Sequence, residues 1–340
     1  MIILGLETSC DETACAVVSN GTVILSNVVA SSQDIHAKYG GIIPENAARE
    51  QVKSIIHVIK EALLKSEIRD PKSEIDALAV TVGPGLIGSL LIGVETAKAL
   101  AFAWNEPLIP VNHLVGHIYA NWLEPRTQNL EPSFPALVLL VSGGHTELIL
   151  MKGHGKFEYL GGTRDDAAGE CFDKGARLLN LGYPGGPAIS AAAEKFEIRN
   201  SKFEIKLPRP MINSKDFDFS FSGLKTAVRN LVTNPLTPYP ANLLAFELQE
   251  AITDVLVTKT LRAAQKFKVK NILLAGGVAA NKRLREKFQS IIHNSKFIIQ
   301  LRVPPPSLCT DNAAYIASAA FFNYHPVPWQ QVDADPSLDI

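Results

Sequence analysis

The sequence predicts an α/β protein made of two similar halves, and three observations carry that prediction. Short apolar runs of strand length alternate with longer stretches whose apolar residues recur at helical spacing. Several of the short runs end in glycine turns, at Gly83 and Gly85, Gly143 and Gly144, and Gly276 and Gly277. A strand, a polar turn and a second strand open the chain, and the same pattern recurs over 136–151, as expected for an internal duplication.

Taken in order, residues 2–6 form a buried-strand pattern, the ETSCDET turn (7–13) follows, and 14–18 and 22–29 read as further strands. A turn this rich in hydroxyls and carboxylates offers backbone N–H groups and side-chain oxygens to a phosphate or a hydrated metal, although most such turns are solvated hairpins. Gly40, Gly41 and Pro44 break the chain within HAKYGGIIPENAARE (36–50), and an amphipathic helix is expected over 45–65. A buried strand over 75–82 leads to a helix over 86–104, and a short strand at 108–111 delivers the chain to VNHLVGHIYAN (111–121). Residues 124–135, with three prolines, read as a link between the halves.

In the second half, the hairpin over 136–151 is followed by a helix within 161–179 that stops at YPGGP (183–187), and then by a less regular stretch over 188–240. That stretch sets Lys195, Lys202, Lys206, Arg209, Lys215, Lys225 and Arg229 among Phe203, Phe217, Phe219 and Phe221. It is the best candidate for an RNA-facing insertion, with a solvated mixed-charge surface as the commoner explanation. A long helix over 242–266, a strand over 271–275, a helix to about 292 and a strand over 297–303 complete this half. After the rigid turn Pro304, Pro305 and Pro306, TDNAA (310–314) opens the last helix. The implied lobes are 1–125, with a final helix at 309–323 packing back on it, and 135–308 with the 188–240 insertion, leaving a tail at 324–340.

A chain of 340 residues suffices for two ordinary domains or one large α/β unit. Its net charge of −1 supplies no whole-chain basic field, so an RNA substrate would need a local basic face or a partner protein. Cys10, Cys15, Cys171 and Cys309 are scattered without a paired spacing, as expected of reduced thiols in a cytoplasmic protein. The start lacks a basic signal-peptide region, and the apolar run 78–104 is interrupted by Pro84, Glu95 and Lys98, so no membrane span is expected.

The chemistry centres on His113 and His117. Four residues apart, they project from one face of a helix and can hold one metal ion, although an isolated pair of this spacing is more often a packed pair of histidines. A third donor must come from elsewhere. Asp311, near the start of the last helix, is either a cap or that missing carboxylate, and spacing alone does not choose. Ser142, Gly143 and Gly144 suit close backbone approach to a phosphate.

Eight segments in order, LGLETSCDET, HAKYGGIIPENAARE, VNHLVGHIYAN, LLVSGGHTEL, DDAAGECFDKGARLLNLGYPGGP, FSFSGLKTAV, LLAGGVAAN and CTDNAAYIA, resemble the signatures of the TsaD (Kae/Qri) family of tRNA threonylcarbamoyladenosine synthases. The resemblance runs from the first strand to the final helix and ends at about Tyr324. It departs at Gln51, where the family commonly carries a histidine that is not a metal ligand.

The resemblance implies an actin-like, Hsp70-like ATPase (ASKHA) fold with two ribonuclease-H-like lobes and a central cleft. It implies that His113, His117 and Asp311 bind one divalent metal, iron(II) or zinc, with Asp11 and Glu12 as catalytic neighbours. Leu140, Val141, Ser142, Gly143 and Gly144 would cradle the phosphate of threonylcarbamoyl-AMP, Asp173 and Gly186 would hold its ribose, and Asn281 would meet its adenine. The implied reaction passes the threonylcarbamoyl group to N6 of the adenosine 3′ to the anticodon, in tRNAs reading codons that begin with adenine. Implied partners are a TsaB-like paralogue, a TsaE-like ATPase and a TsaC-like supplier of the adenylate. A small-molecule kinase of the same fold and a non-catalytic nucleotide-binding scaffold are the alternatives. A zinc protease is poorly supported, because Leu114, Val115 and Gly116 lack the glutamate of HExxH chemistry.

Overall fold

The buried apolar runs of the sequence become two five-stranded sheets of one topology. A computed structural model describes residues 1–37, 41–123, 132–196, 205–233, 239–294 and 298–340. Its strands are β1 (Ile2–Glu7), β2 (Glu12–Ser19), β3 (Val23–Ser31), β4 (Ala77–Gly83), β5 (Leu108–Asn112), β6 (Ala136–Val141), β7 (Thr146–Gly153), β8 (Lys156–Gly162), β9 (Asn271–Ala275) and β10 (Gln300–Arg302). The helices are α1 (Gln33–Ala37), α2 (Pro44–Lys65), α3 (Pro71–Glu74), α4 (Ile87–Trp104), α5 (His113–Tyr119), α6 (Ala168–Leu178), α7 (Gly185–Glu194), α8 (Ser222–Val232), α9 (Ala241–Phe267), α10 (Lys282–Asn294), α11 (Pro306–Cys309) and α12 (Ala314–Phe322).

The chain divides into one unit of Met1–Glu131 with Pro304–Ile340 and a second of Pro132–Val303. In the first, the strand order is β3-β2-β1-β4-β5, with β1, β4 and β5 parallel and β2 and β3 a returning hairpin. In the second, the order is β8-β7-β6-β9-β10, with β6, β9 and β10 parallel. Each unit is thus a three-stranded meander extended by two parallel strands. Parallel strands covered on both faces lose their polar alternation, which is why β4 and β6 are buried at every residue.

In the first unit α2 and α4 pack together beside the sheet, while α12 lies against β1 and α5. Among the described residues α4 alone is long and apolar enough to cross a membrane, yet its Leu90, Val94, Ala97 and Ala101 are buried in the protein. The final residues are laid along this unit: Val327 bridges to Leu108, and Asp335 N–H donates to Val82 O at 2.7 Å. In the second unit α9, buried along most of its length, packs on α7 and β6.

The structure corrects the reading of the second half in three places. Strand β8 follows the expected hairpin; as a largely exposed edge strand it lacks the apolar run that marked the others. The described residues within 188–240 hold more helix than their sequence suggests, because α7 starts at Gly185 on the glycines and Pro187 taken as a stop, and α8 starts at Ser222. Phe217, Phe219 and Phe221 are buried and do not face RNA. They alternate with Asp216, Asp218 and Ser220, the period of an extended chain with one face inward, and Lys259 and Lys266 stand over the rings of Phe219 and Phe217. Lys202 and Phe203, most of the 124–135 link, Lys38 to Gly40 in the expected loop, and Phe297 at the start of the expected last strand lie outside the described residues.

Candidate active site

Polar groups gather at the carboxyl ends of the parallel strands in both units, where open α/β sheets leave room for ligands. In the first unit β5 ends at Asn112, whose Oδ1 accepts the N–H groups of Leu114 (2.8 Å) and Val115 (3.2 Å) and so caps α5. His113 and His117 then fall on one face, with ring centroids 4.6 Å apart. Between them, Gly116 lets α12 come close: a side-chain carbon there would lie 2.7 Å from both Tyr315 and Ile316. That approach brings the start of α12 to the histidines.

Asp311 is not the cap of α12. The Oδ1 of Asn312 accepts from Ala314 N–H at 3.1 Å and Tyr315 N–H at 3.3 Å. Asp311 instead turns its Oδ1 to His117 Nε2 at 3.3 Å and His113 Nε2 at 3.8 Å, and the Tyr315 hydroxyl donates to the same oxygen at 3.4 Å. One donor atom from each of the three residues lies within 4.8 Å of the others. An ion about 2.1 Å from each donor sets neighbouring donors roughly 3.0–3.4 Å apart at octahedral or tetrahedral angles; the Asp311 pairs at 3.3 and 3.8 Å are near that spacing, and donors within 4.8 Å of one another can close round a divalent cation by side-chain adjustment.

The two imidazoles carry different charge when no metal is bound. Burial lowers the pKa of His117 and keeps it neutral, as a ligand must be. Burial also works against charged His113, but the Glu7 and Asp311 carboxylates outweigh it and raise its pKa to about 9. Although burial opposes it, Asp311 is held down to about 2 by charged His113 and the bond from His117. Glu12 is pushed up to about 10 by burial and by the negative charge of Asp311 and Asp11, so it is a neutral acid at neutral pH. The turn that carries Asp11 and Glu12 is tied down by its carbonyls: Gln51 donates to Cys10 O (3.0 Å) and Glu12 O (2.9 Å), Ser89 to Cys10 O (2.9 Å), and Ser32 to Asp11 O (2.9 Å).

In the second unit the turn after β6 is open. A side-chain carbon at Gly143 or Gly144 would meet nothing within 4 Å, whereas Gly169 at the start of α6 fits tightly against the Ser142 carbonyl. Leu140 and Val141 are the buried end of β6. Asp173 on α6 accepts the Gly185 N–H at 2.7 Å, at the start of α7, and burial raises its pKa. Gly186, the next residue, faces open space. Asn281 is engaged within the protein: its Nδ2 donates to Ser190 (3.1 Å) and Gln249 (3.0 Å), and its Oδ1 caps α10 at Leu284 N–H (2.9 Å). Sequence reasoning missed Glu7, Gly116, Asn312 and Gln249, whose parts depend on partners distant in the chain; only the HxxGH spacing around Gly116 left a local trace.

Two solved structures share the architecture. HypF of T. kodakarensis matches with a TM-score of 0.60 at 16% identity over 95% of this chain and 47% of its own. Component A of (R)-2-hydroxyglutaryl-CoA dehydratase from Acidaminococcus fermentans matches at 0.52 with 13% identity, over 95% of this chain and 98% of its own. The fold is therefore the actin-like, Hsp70-like ATPase fold. Within that class, the family described as TsaD, tRNA N6-adenosine threonylcarbamoyltransferase, matches residues 23–318. Proteins given that name in Thermomicrobium roseum (50% identical, 95% of its length), Dehalococcoides mccartyi (51%, 99%) and Bacillus thuringiensis (52%, 96%) each cover the whole of this chain. The chain belongs to the TsaD family, and it is an acyltransferase of tRNA threonylcarbamoyladenosine synthesis. The kinase and scaffold readings are set aside by that membership.

Proposed function

We propose that His113, His117 and Asp311 hold one iron(II) ion, and that Leu140 to Gly144, Asp173, Gly186 and Asn281 bind threonylcarbamoyl-AMP, the donor for N6 of the adenosine 3′ to the anticodon. The convergence of two imidazoles and one carboxylate within 4.8 Å carries the reading. Two histidines and one carboxylate leave positions open, the donor set of non-haem iron(II), and zinc is accommodated by the same atoms. When bound, such an ion supplies Lewis acidity to a carbonyl or phosphate oxygen.

The chain's own groups do the rest. The mixed anhydride of the donor is already activated, because adenylate is a good leaving group. Gly143 and Gly144, with open space where side chains would stand, let a phosphate approach the backbone, and Asp173, fixed by Gly185, presents a carboxylate to the ribose hydroxyls. Asn281 borders the adenine end by holding α7 and α10 together through Ser190 and its cap. The aromatic amine must lose a proton as it attacks. Asp11 and Glu12, hydrogen-bonded to each other, are the pair assigned to accept that proton.

With a net charge of −1, the chain is proposed to hold tRNA in the cytoplasm together with a TsaB-like paralogue and a TsaE-like ATPase, while a TsaC-like enzyme supplies the adenylate. The test is His113→Ala, assayed for bound metal and for transfer to unmodified tRNA. We expect a folded protein that has lost both; transfer at the wild-type rate would overturn the metal assignment. Elemental analysis of protein purified without oxygen distinguishes iron from zinc.

A further inference from the structure

Glu7, the last residue of β1, is fully buried, and its carboxylate is held by hydrogen bonds. The backbone N–H of Ser9 donates to Oε1 at 2.5 Å and the Thr81 hydroxyl to Oε2 at 2.6 Å. The same Oε2 lies 3.0 Å from His113 Nδ1, which also has the Ser9 hydroxyl at 3.2 Å. On the other side of that imidazole, Nε2 faces Asp311 at 3.8 Å. The two ring nitrogens are therefore divided between a buried carboxylate and the donor cluster.

We propose that Glu7 is the positioning residue of the metal centre: its carboxylate fixes His113 with the proton on Nδ1 and aims the free pair of Nε2 at the ion. The inference rests on His113 being a metal ligand, and it goes beyond that reading by naming what orients the ligand. Imidazole ligands are commonly held in this way by a carboxylate on the far nitrogen, and losing that partner weakens metal binding by about 10–100-fold. Thr81 and Ser9 complete the argument, because they anchor Glu7 from strand β4 and from its own turn, so the carboxylate cannot swing away from the ring.

The surroundings also say why the residue is glutamate. A carboxylate accepts at both oxygens, whereas an amide carries an NH2 group on one side. In Glu7→Gln the backbone N–H of Ser9 cannot rotate and claims the amide oxygen, which turns the NH2 toward Thr81 and His113. The Thr81 hydroxyl can rotate to accept. His113 Nδ1 then meets the NH2 and keeps only Ser9 Oγ, at 3.2 Å, as an acceptor for its proton, so the balance shifts toward a proton on Nε2, where it blocks the lone pair a metal needs.

Cobalt(II), titrated into metal-free protein against a chromophoric chelator, provides the test, read as affinity and as the visible spectrum of the bound ion. Glu7→Gln should bind cobalt about 10–100-fold more weakly with shifted bands. Thr81→Val, which removes one anchor of Glu7 but leaves the Ser9 N–H and the carboxylate itself in place, should weaken binding less than Glu7→Gln does. Wild-type affinity and spectrum in Glu7→Gln would sink the proposal, provided His113→Ala has lost the cobalt; if His113→Ala keeps it, the ligand assignment itself falls. A loss in Thr81→Val as deep as that in Glu7→Gln would reduce Glu7 to a general structural role and also overturn the proposal. Should Glu7→Gln fail to fold, nitrogen-15 NMR of the zinc-loaded wild type decides: a proton on Nδ1 of His113 is expected, and one on Nε2 refutes the inference.

Discussion

After β1 the chain runs through Glu7, Thr8, Ser9, Cys10 and Asp11, whereas after β6 it runs through Ser142, Gly143, Gly144 and His145. The two turns follow equivalent strands in sheets of the same order. In the first, carboxylates are buried and the backbone is tied down by Gln51, Ser89 and Ser32. In the second, side chains are missing where a ligand would approach. The fold thus provides one location twice. On the reading proposed above, side-chain chemistry assigns the first to a cation, through its carboxylates, and the second to a phosphate, through backbone N–H groups left uncovered by side chains.

Glycines divide the same way, and this gives the strongest test. A side-chain carbon at Gly83 would fall 1.8 Å from the Asp335 carbonyl oxygen, so Gly83→Ala should destabilise the protein by about 3 kcal/mol or more, measured by urea unfolding. Gly143→Ala, in open space, should leave stability within about 0.5 kcal/mol while raising the KM for threonylcarbamoyl-AMP about tenfold, the equivalent of one lost charged hydrogen bond. Equal effects on unfolding would erase the distinction between a packing glycine and a binding glycine.

Proton linkage separates the units next. His113 has its pKa raised to about 9, so below that pH the imidazolium must release a proton before Nε2 can ligate. Metal affinity should weaken as pH falls from 9 to 7, by up to about tenfold per unit; a flat profile in metal titrations would contradict the charge arrangement. Backbone N–H groups at Gly143 and Gly144 have no proton to exchange in this range, so they add no such slope to donor binding. The smallest expected effect is at Asn312: removing its cap by Asn312→Ala should cost about 1 kcal/mol in thermal unfolding. If Asn312→Ala were neutral, the cap of α12 would have to be sought elsewhere.

The legibility of these features follows the range of the forces behind them. Buried strands announced themselves because covering both faces demands an unbroken apolar run, as in β4 and β6. The exposed edge strand β8 and the glycine-started α7 gave no such run. The pairing of His113 with His117 was written into helical spacing. Asp311 was not, because Asp311 and Asn312 are adjacent short polar residues before one helix, and only the packing of α12 on α5 decides which of them caps it. Glu7 stood in plain view within ETSCDET, yet a buried acid that orients an imidazole and a solvated acid in a turn look alike until Thr81 and His113 are placed around it.

The packing of α12 against β1 and α5 also bears on the order of events during synthesis. Pro132–Val303 is one uninterrupted stretch whose synthesis is finished before Asp311 has been made. The second unit can therefore complete its chain while the first still waits for its last helix. On the metal assignment proposed above, the nascent chain carries two histidines without Asp311 until that helix emerges, and a chain stopped upstream of residue 311 would lack the third proposed donor.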